Sequence, residues 1–293
     1  MKITTEKLAA LNTALKGTFK QAFEETPSDY EKVATTIPSS KKSNTYDWIG
    51  QTINIREWAG DRVIQNLTEY DYTIKNKKFE GTVAVKKDDI EDDEVGKYGI
   101  IMKELAYGAK THPDSLIFGE LLKNGTSTLC YDGQYFFDTD HDVGGESVSN
   151  FTTGSGAAWY LLNTARPLKP LIWQPRTPAN LVTIDNEEAE PVFKRGEILY
   201  GVDFRGNAGY GFWQMAYCSK QDLTTANFNT VYAAMMSMKQ PNGKPLNNRP
   251  TLLVVPPSLR AAAKTVIESE KLADGTTNPN KGVVEILVSP WLA

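Results

Sequence analysis

Residues 70–109 read YDYTIKNKKFEGTVAVKKDDIEDDEVGKYGIIMKELAYGA, and their pattern changes part-way along. Up to residue 85, apolar and polar residues alternate on either side of the polar run Lys75-Asn76-Lys77-Lys78. A period of two is typical of β-strands, and a short polar run between two such stretches is typical of a turn. The pattern therefore predicts a two-stranded ribbon over residues 46–87, with a lysine-rich tip and enough length to touch another subunit.

The acidic run 88–94 comes next and leads into a pattern with the period of a helix. Its apolar members share one face: Tyr98, Ile101, Met102, Leu105, Ala106 and Ala109. Pro113 interrupts the pattern, which resumes and stops at Gly125. We expect a helix from 93 to 124, either one long helix kinked near His112 or two helices in line. The acids are expected to cap its N-terminus, since the spacing of a calcium loop is absent.

Another amphipathic helix is predicted over residues 5–24. Its apolar stripe repeats every three or four residues and consists of Leu8, Leu11, Leu15, Phe19 and Phe23. The polar stretch 39–44 that comes after this helix is typical of a flexible connection. Two interpretations of the stripe are open: it docks on the chain's own body, or it docks on a neighbouring copy.

The second half of the sequence mixes both periods. Strands are expected at 171–174, 181–184, 197–205, 209–218, 251–256 and 283–288. Helices are expected at 224–239 and 258–271, and the glycine-rich run Arg205-Gly206-Asn207-Ala208-Gly209 is predicted to be a tight hairpin turn. The whole chain is predicted to have a mixed α+β fold.

Composition excludes several classes of protein. The chain has 293 residues, with 32 basic and 36 acidic side chains and a net charge of -4, which argues against sequence-independent nucleic-acid binding as its main role. No apolar run reaches the length of a membrane span, and the polar start offers no secretory signal. Two cysteines are too few for a disulfide framework. These features predict a soluble cytosolic product.

One stretch carries residues suited to chemistry. Residues 131–142 hold four carboxylates and His141, and Asp138, Asp140 and His141 are residue types that bind divalent metals. On a strand, however, His141 would face away from the two aspartates. The favoured interpretation is an aspartate-rich turn whose side chains bond to backbone N–H groups. No nucleophile elbow, phosphate loop or zinc-helix motif is present, so we expect no enzymatic activity, cofactor or metal.

Multi-residue strings spread along nearly the whole chain resemble the major head subunit of Mu-like phages and prophages, the gpT family. The strings are REWAGDR (56–62), YTIKNKKFE (72–80), DIEDD (89–93), CYDGQYFFDTDH (130–141), KPLI (169–172), YGVD (200–203), LLVVPP (252–257) and VSPWLA (288–293). Strings of this length, in matching order, are far more specific than a short motif.

The resemblance implies the Hong Kong 97-type capsid fold. That fold has an N-terminal arm, an extended hairpin called the E-loop, a peripheral domain with a long spine helix, and an axial domain. Its parts are expected at 1–45 for the arm, 46–87 for the E-loop and 88–150 for the peripheral domain. Residues 151–293 are expected to form mainly the axial domain, with some late strands returning to the peripheral domain.

The resemblance also implies a function. The chain is expected to self-assemble through pentamers and hexamers into an icosahedral shell that encloses DNA without sequence-specific binding. A scaffold, a maturation protease and a portal are implied as partners, and the virion as its location after assembly in the host cytoplasm. Two alternatives are an encapsulin-type compartment, which shares the fold, and a metal-dependent hydrolase built on Asp138, Asp140 and His141.

Aromatic and basic side chains are the expected contacts between subunits, since aromatics dominate interface energetics. The residues predicted to make them are Leu8, Leu11, Leu15, Phe19, Trp48, Trp58, Tyr70, Tyr72, Lys75, Lys77 and Lys78.

Overall fold

The computed structural model describes residues 5–50, 71–92 and 95–293. The helices are α1 (Thr5–Glu25), α2 (Tyr30–Val33), α3 (Lys87–Glu91), α4 (Gly96–Asp114), α5 (Glu190–Arg195), α6 (Thr225–Met236) and α7 (Arg260–Ile267). The first strands are β1 (Ala34–Thr36), β2 (Ser43–Thr45), β3 (Thr73–Lys75), β4 (Lys77–Lys86), β5 (His141–Val143), β6 (Glu146–Val148) and β7 (Phe151–Thr152). The later strands are β8 (Trp159–Leu162), β9 (Leu171–Ile184), β10 (Glu197–Tyr210), β11 (Ala216–Ser219), β12 (Leu252–Val255) and β13 (Glu285–Val288). The predicted α+β class is confirmed.

The longest sheet has the strand order β1-β9-β10-β4. β9 and β10 form an antiparallel pair of 14-residue strands, and β10 pairs along its length with β4, from Glu197 opposite Lys86 to Gly206 opposite Lys77. Side chains alternate in exposure along β4 and β10 because one face of the sheet is covered by helices and the other is open. Two strands of the range 151–293 thus lie in the same sheet as β4.

The predicted hairpin turn at 205–209 is wrong. β10 runs straight through it, with register shifts against β9 near Arg205. The glycines are needed for close packing: a Cβ on Gly206 would lie 2.8 Å from the carbonyl oxygen of Gln174, and one on Gly209 would overlap Ile74. The glycine-rich run therefore marks a close approach of neighbouring chain segments.

A five-stranded sheet, with the order β13-β12-β8-β11-β7, forms the other main layer. β8, β11 and β12 are buried along their whole lengths, which explains why their sequences are apolar runs without alternation. α6 and α7 pack against this sheet through Phe228, Val231 and Val266, which belong to the largest hydrophobic cluster.

α1 and α4 lie together on one face of the long sheet. The helix predicted from 93 to 124 begins at Gly96 and continues through Ser115–Leu122, where N–H groups bond to the carbonyl five residues earlier. This widening follows Pro113, which has no N–H to donate. The helix is therefore continuous, with a change of winding after His112.

The described part of the acidic run, residues 88–92, does not cap α4. Lys87–Glu91 forms the separate short helix α3, and the first turn of α4 contains no acid. Asp89 instead accepts hydrogen bonds from the Tyr98 hydroxyl and from Lys97 Nζ, the latter at 2.7 Å. The Lys97 and Tyr98 hydrogen bonds lower the pKa of Asp89. Through the same bonds, Asp89 of α3 holds the first turn of α4 in place.

The predicted ribbon is paired differently. β3 pairs with β2, while β4 pairs with β10, so Lys75-Asn76-Lys77-Lys78 is a passage between two sheets and the prediction of a tip there is wrong. The β2–β3 pair instead brings together the two described stretches that flank residues 51–70, which lie outside the described part of the chain. The domain boundaries predicted from the sequence stay predictions.

Candidate assembly surfaces

The stripe of α1 faces the chain's own body. Leu15 and Phe19 are 4% and 5% exposed and pack with residues of α4 and the long sheet, and Leu8 and Leu11 are partly buried in the same cluster as Leu15. Asn12 adds polar contacts, donating to Asp185 at 2.6 Å and accepting from the Tyr200 hydroxyl. Of the two interpretations, the structure shows the first, in which the stripe docks on the chain's own body. Contact of these residues with another copy stays a prediction.

Tyrosine hydroxyls hold the two described stretches that flank residues 51–70. The Tyr46 hydroxyl donates to Gln174 Oε1 at 2.6 Å, and the Tyr72 hydroxyl accepts from the backbone N–H of Tyr210 at 2.7 Å. Burial raises the pKa of Tyr72, and its hydroxyl stays protonated. Trp48, next to Tyr46, is 44% exposed. Trp58 and Tyr70 lie outside the described residues.

Lys75, Lys77 and Lys78 are exposed on the passage between the sheets, and Lys77 Nζ lies 4.0 Å from Glu120 Oε2. Asn76, between them, is buried. Its side-chain amide donates to Ser39 Oγ, and its Oδ1 accepts from Gln174 Nε2 at 2.8 Å. The stretch 39–44, predicted as a flexible connection, is thus tied down by hydrogen bonds. Sequence reasoning missed Asn76 and Gln174, because no local pattern marks a polar residue as buried.

The candidate metal residues do not converge. Asp140 is exposed, Asp138 accepts from the backbone N–H groups of Tyr135 and Thr139, and Asp142 accepts from that of Gly145. His141 is fully buried. The aspartates therefore hold backbone N–H groups in a turn, as the favoured interpretation had it, and the hydrolase site is not formed.

His141 belongs to a different cluster. Its Nδ1 lies 2.7 Å from Asp132 Oδ2, and Cys130 Sγ donates to Asp132 Oδ1 at 3.0 Å. The imidazole stacks on Trp213, with centroids 3.8 Å apart. Nε2 of His141 is buried and has no hydrogen-bond partner among the described residues.

Cys130, Asp132 and His141 are the described residues that could hold a metal, with one ligand atom from each inside 4.8 Å. Burial raises the pKa of the Cys130 thiol, which favours the protonated form that donates to Asp132 rather than the thiolate that binds metals. Burial also acts to raise the pKa of Asp132, but hydrogen bonds from His141 and Cys130 outweigh it and the net pKa is lowered. The arrangement suits a hydrogen-bonded unit of the core.

Several large apolar side chains are exposed in the described part of the chain. On the open face of the long sheet they include Val182 and Ile184, at 49% and 44%, and on α5 Phe193 is 81% exposed. Sequence reasoning did not single these out, since a strand's alternation does not say which face is covered. None of the described helices has both the length and the apolar character needed to cross a bilayer.

Residues 8–292 match the family model described as Mu-like prophage major head subunit gpT. The chain belongs to this family. It is 40% identical to the major capsid protein of Escherichia phage Mu, with all of both chains covered. It is 42% identical to the Mu-like prophage FluMu major head subunit of Haemophilus influenzae, over 95% of this chain and 94% of the relative.

Solved structures agree with the gpT assignment. A chain of the procapsid of bacteriophage JBD30 is similar with a TM-score of 0.89 and 47% identity, covering 99% of this chain and 100% of that one. A chain of the JBD30 capsid is similar with a TM-score of 0.81 and 38% identity, over the whole of both chains. The protein is therefore a shell-forming major head protein with the Hong Kong 97-type capsid fold, and its relatives are structural capsid proteins.

Proposed function

We propose that this gpT-family chain assembles through rings of five and six subunits into an icosahedral shell that encloses DNA, and that it has no enzymatic activity. Full-length similarity to subunits of both a procapsid and a capsid carries this proposal. Head-to-tail contacts between identical chains close into rings when the rotation closes, and such rings can tile a shell. Assembly in the host cytoplasm and residence in the virion belong to the same proposal.

We propose that the segment joining β2 to β3 makes contacts with a neighbouring subunit. Tyr72, at the β3 end of this segment, accepts a hydrogen bond from Tyr210, and Trp48, at its β2 end, is exposed, which suits an aromatic anchor on a neighbour. The open face of the long sheet offers a matching surface, because Val182 and Ile184 are exposed there, opposite Gly201 and Leu199 of β10. Lys75, Lys77 and Lys78 would add ionic contacts between subunits. The apolar stripe of α1 would hold the N-terminal arm, residues 1–45, against its own subunit.

Other partners are proposed from the family resemblance alone. A scaffold would guide assembly, a protease would trim the assembled head and a portal would replace one ring. The packaged DNA would be held without base contacts, which is consistent with a subunit whose net charge is -4.

Electron microscopy of the purified protein, together with its sedimentation profile, tests the proposal. Closed shells, or rings of five or six, are the expected result. Shells that contain DNA when formed with the neighbouring head proteins indicate a phage head, whereas shells filled with a cargo enzyme indicate an encapsulin-type compartment. A uniform monomer or dimer, even after co-expression with those head proteins, would overturn the proposal.

A further inference from the structure

A pocket lined by aromatic residues and prolines lies where α1, α4 and β9 meet. Its walls include Phe23, Tyr30, Trp173, Pro178 and Phe204, and its volume is about 170 Å³. A cavity of about 150 Å³ with apolar walls is enough to bind benzene, so this pocket is large enough for one phenyl ring. We refer to it as the aromatic pocket.

The aromatic pocket is formed in the isolated subunit. Asp114 Oδ1 accepts hydrogen bonds from Ser28 Oγ at 2.9 Å and from the backbone N–H of Tyr30 at 2.6 Å, which fixes one wall. The Tyr30 ring packs edge-on against Trp173, with centroids 5.9 Å apart. A pre-formed apolar pocket needs little reorganisation to receive a ligand.

Phe193 is the most exposed large apolar side chain in the described part of the protein, at 81%. It lies on α5, in the connection between β9 and β10. The neighbouring Val192 is buried, and Gly196 ends the helix in the left-handed conformation with φ of 65°. Phe193 is therefore a protruding ring on an anchored turn, with most of its surface exposed.

Phe193 does not reach the aromatic pocket of its own chain. Five residue steps of β9 separate Ala179, at the pocket, from Ile184, where the strand ends before α5. At about 3.3 Å per residue these steps span roughly 17 Å of strand. Phe193 is largely exposed and is not among the described residues that line the pocket, so it does not fill the pocket of its own subunit.

Charge favours the same pairing. Lys110 is the only charged residue among the described residues that line the pocket. Its Nζ lies 5.4 Å from the centroid of the Phe23 ring, and Lys110 makes no ion pair with any described residue. Glu188, five residues before Phe193 in the sequence, is exposed. Its carboxylate has no hydrogen-bond or ion-pair partner in the described part of the molecule.

We propose that Phe193 of one subunit inserts into the aromatic pocket of a neighbouring subunit, with Glu188 facing Lys110. The contact is heterologous, since the ring and the pocket are different surfaces of the same chain, as head-to-tail assembly requires. This inference rests on the shell assembly proposed above and names one of its contacts.

Disulfide trapping in assembled shells tests it. The double variant Phe193→Cys with Ala179→Cys places one thiol on the protruding turn and one at the pocket wall. On oxidation we expect disulfide-linked oligomers on a non-reducing gel. The controls are the single variants, and Phe193→Cys with Gly17→Cys on an open face of α1. These should run as monomers on the same non-reducing gel. The natural Cys130 and Cys218 are buried and give little background.

Shells that form without this linkage would overturn the inference but leave the proposed function intact, because assembly itself would be seen. A disulfide between the thiol introduced by Ala179→Cys and a different protein of the head would assign the pocket to that protein and overturn the inference too.

A second measurement covers the case in which the cysteine pair prevents assembly. Phe193→Asp, and separately the pocket-filling Ala179→Trp, are expected to lower the yield of shells by about tenfold or more, as for a central aromatic anchor. Circular dichroism and thermal unfolding should show that both subunits fold. Normal yields from both variants would overturn the inference.

Discussion

At the scale of single residues, Asp132 holds together the loop that follows α4. Its carboxylate accepts from His141, Cys130 and the backbone N–H of Gln134 while its side chain is only 13% exposed. These bonds favour the ionised form, and their effect outweighs the burial that by itself raises the pKa of Asp132. The folded-state pKa is thus below the unfolded value of about 3.9.

The lowered pKa predicts an acid-dependent stability. A carboxylate with a lowered folded pKa stabilises the fold above its unfolded pKa, and this stabilisation is lost as pH falls through the folded value. Asp132→Asn is therefore expected to lower the free energy of unfolding at pH 7 by about 1–3 kcal/mol, with a smaller deficit below about pH 4. Urea unfolding at pH 7 and pH 3 measures this. The exposed Asp140→Asn is the control, and an equal deficit at both pH values would refute the account.

Close packing at Gly206 makes another residue-scale prediction. Gly206→Ala is expected to lower the free energy of unfolding by about 1–3 kcal/mol, because its Cβ would meet the backbone oxygen of Gln174. Gly201→Ala on the same strand is a matched control, since the nearest atom to its Cβ is Thr82 Oγ1 at 3.4 Å. Similar unfolding midpoints for the two variants in urea would contradict the role given to Gly206.

At the scale of elements, burial of its apolar face holds α1 against α4 and the long sheet. Phe19 packs with Ala106 of α4 and Val202 of β10 and is 5% exposed. Phe19→Ala is expected to destabilise the unassembled subunit by about 3–5 kcal/mol, as measured by chemical unfolding. Lys16→Ala, on the exposed side of the same helix, should change stability little. A helix that docked only on neighbouring copies would leave the Phe19→Ala subunit as stable as the wild type.

The same scale explains the winding of the long helix. Pro113 cannot donate a hydrogen bond, and the next turns are wider, from Ser115 to Leu122. His112 sits at this change of winding, against the rings of Phe79 and Phe204. Burial lowers the pKa of His112, which keeps its ring neutral between these apolar neighbours.

At the scale of the whole molecule, substituting an exposed aromatic side chain separates an effect on assembly from an effect on folding. Trp48→Ala should leave the unfolding midpoint of the subunit nearly unchanged but lower the yield of closed shells by about tenfold, if Trp48 anchors a neighbour. Trp291 is equally exposed, at 44%, and Trp291→Ala is the matched control. Sedimentation of both variants under assembly conditions gives the yields. Equal yields for Trp48→Ala and wild type would remove Trp48 from the interface.

Much of the architecture could be predicted from the sequence. The helical period of Tyr98, Met102 and Ala106 and the apolar run of β12 correctly indicated a helix and a buried strand. The resemblance of several strings to the gpT family indicated the fold and the function. The intersubunit contacts of Leu8, Trp48 and the others stay predictions, because the structure contains one chain.

The sequence by itself determined most of the element types, the family and the α+β class. Helical and extended periods arise from contacts between residues two to four positions apart, which any single chain displays locally. Only the tertiary structure decided the partners. β3 pairs with β2 and β4 with β10, where Lys86 lies opposite Glu197, and Asn76 and His141 are buried with polar partners. The period of a strand carries no record of a partner that is more than a hundred residues away, and burial depends on that partner.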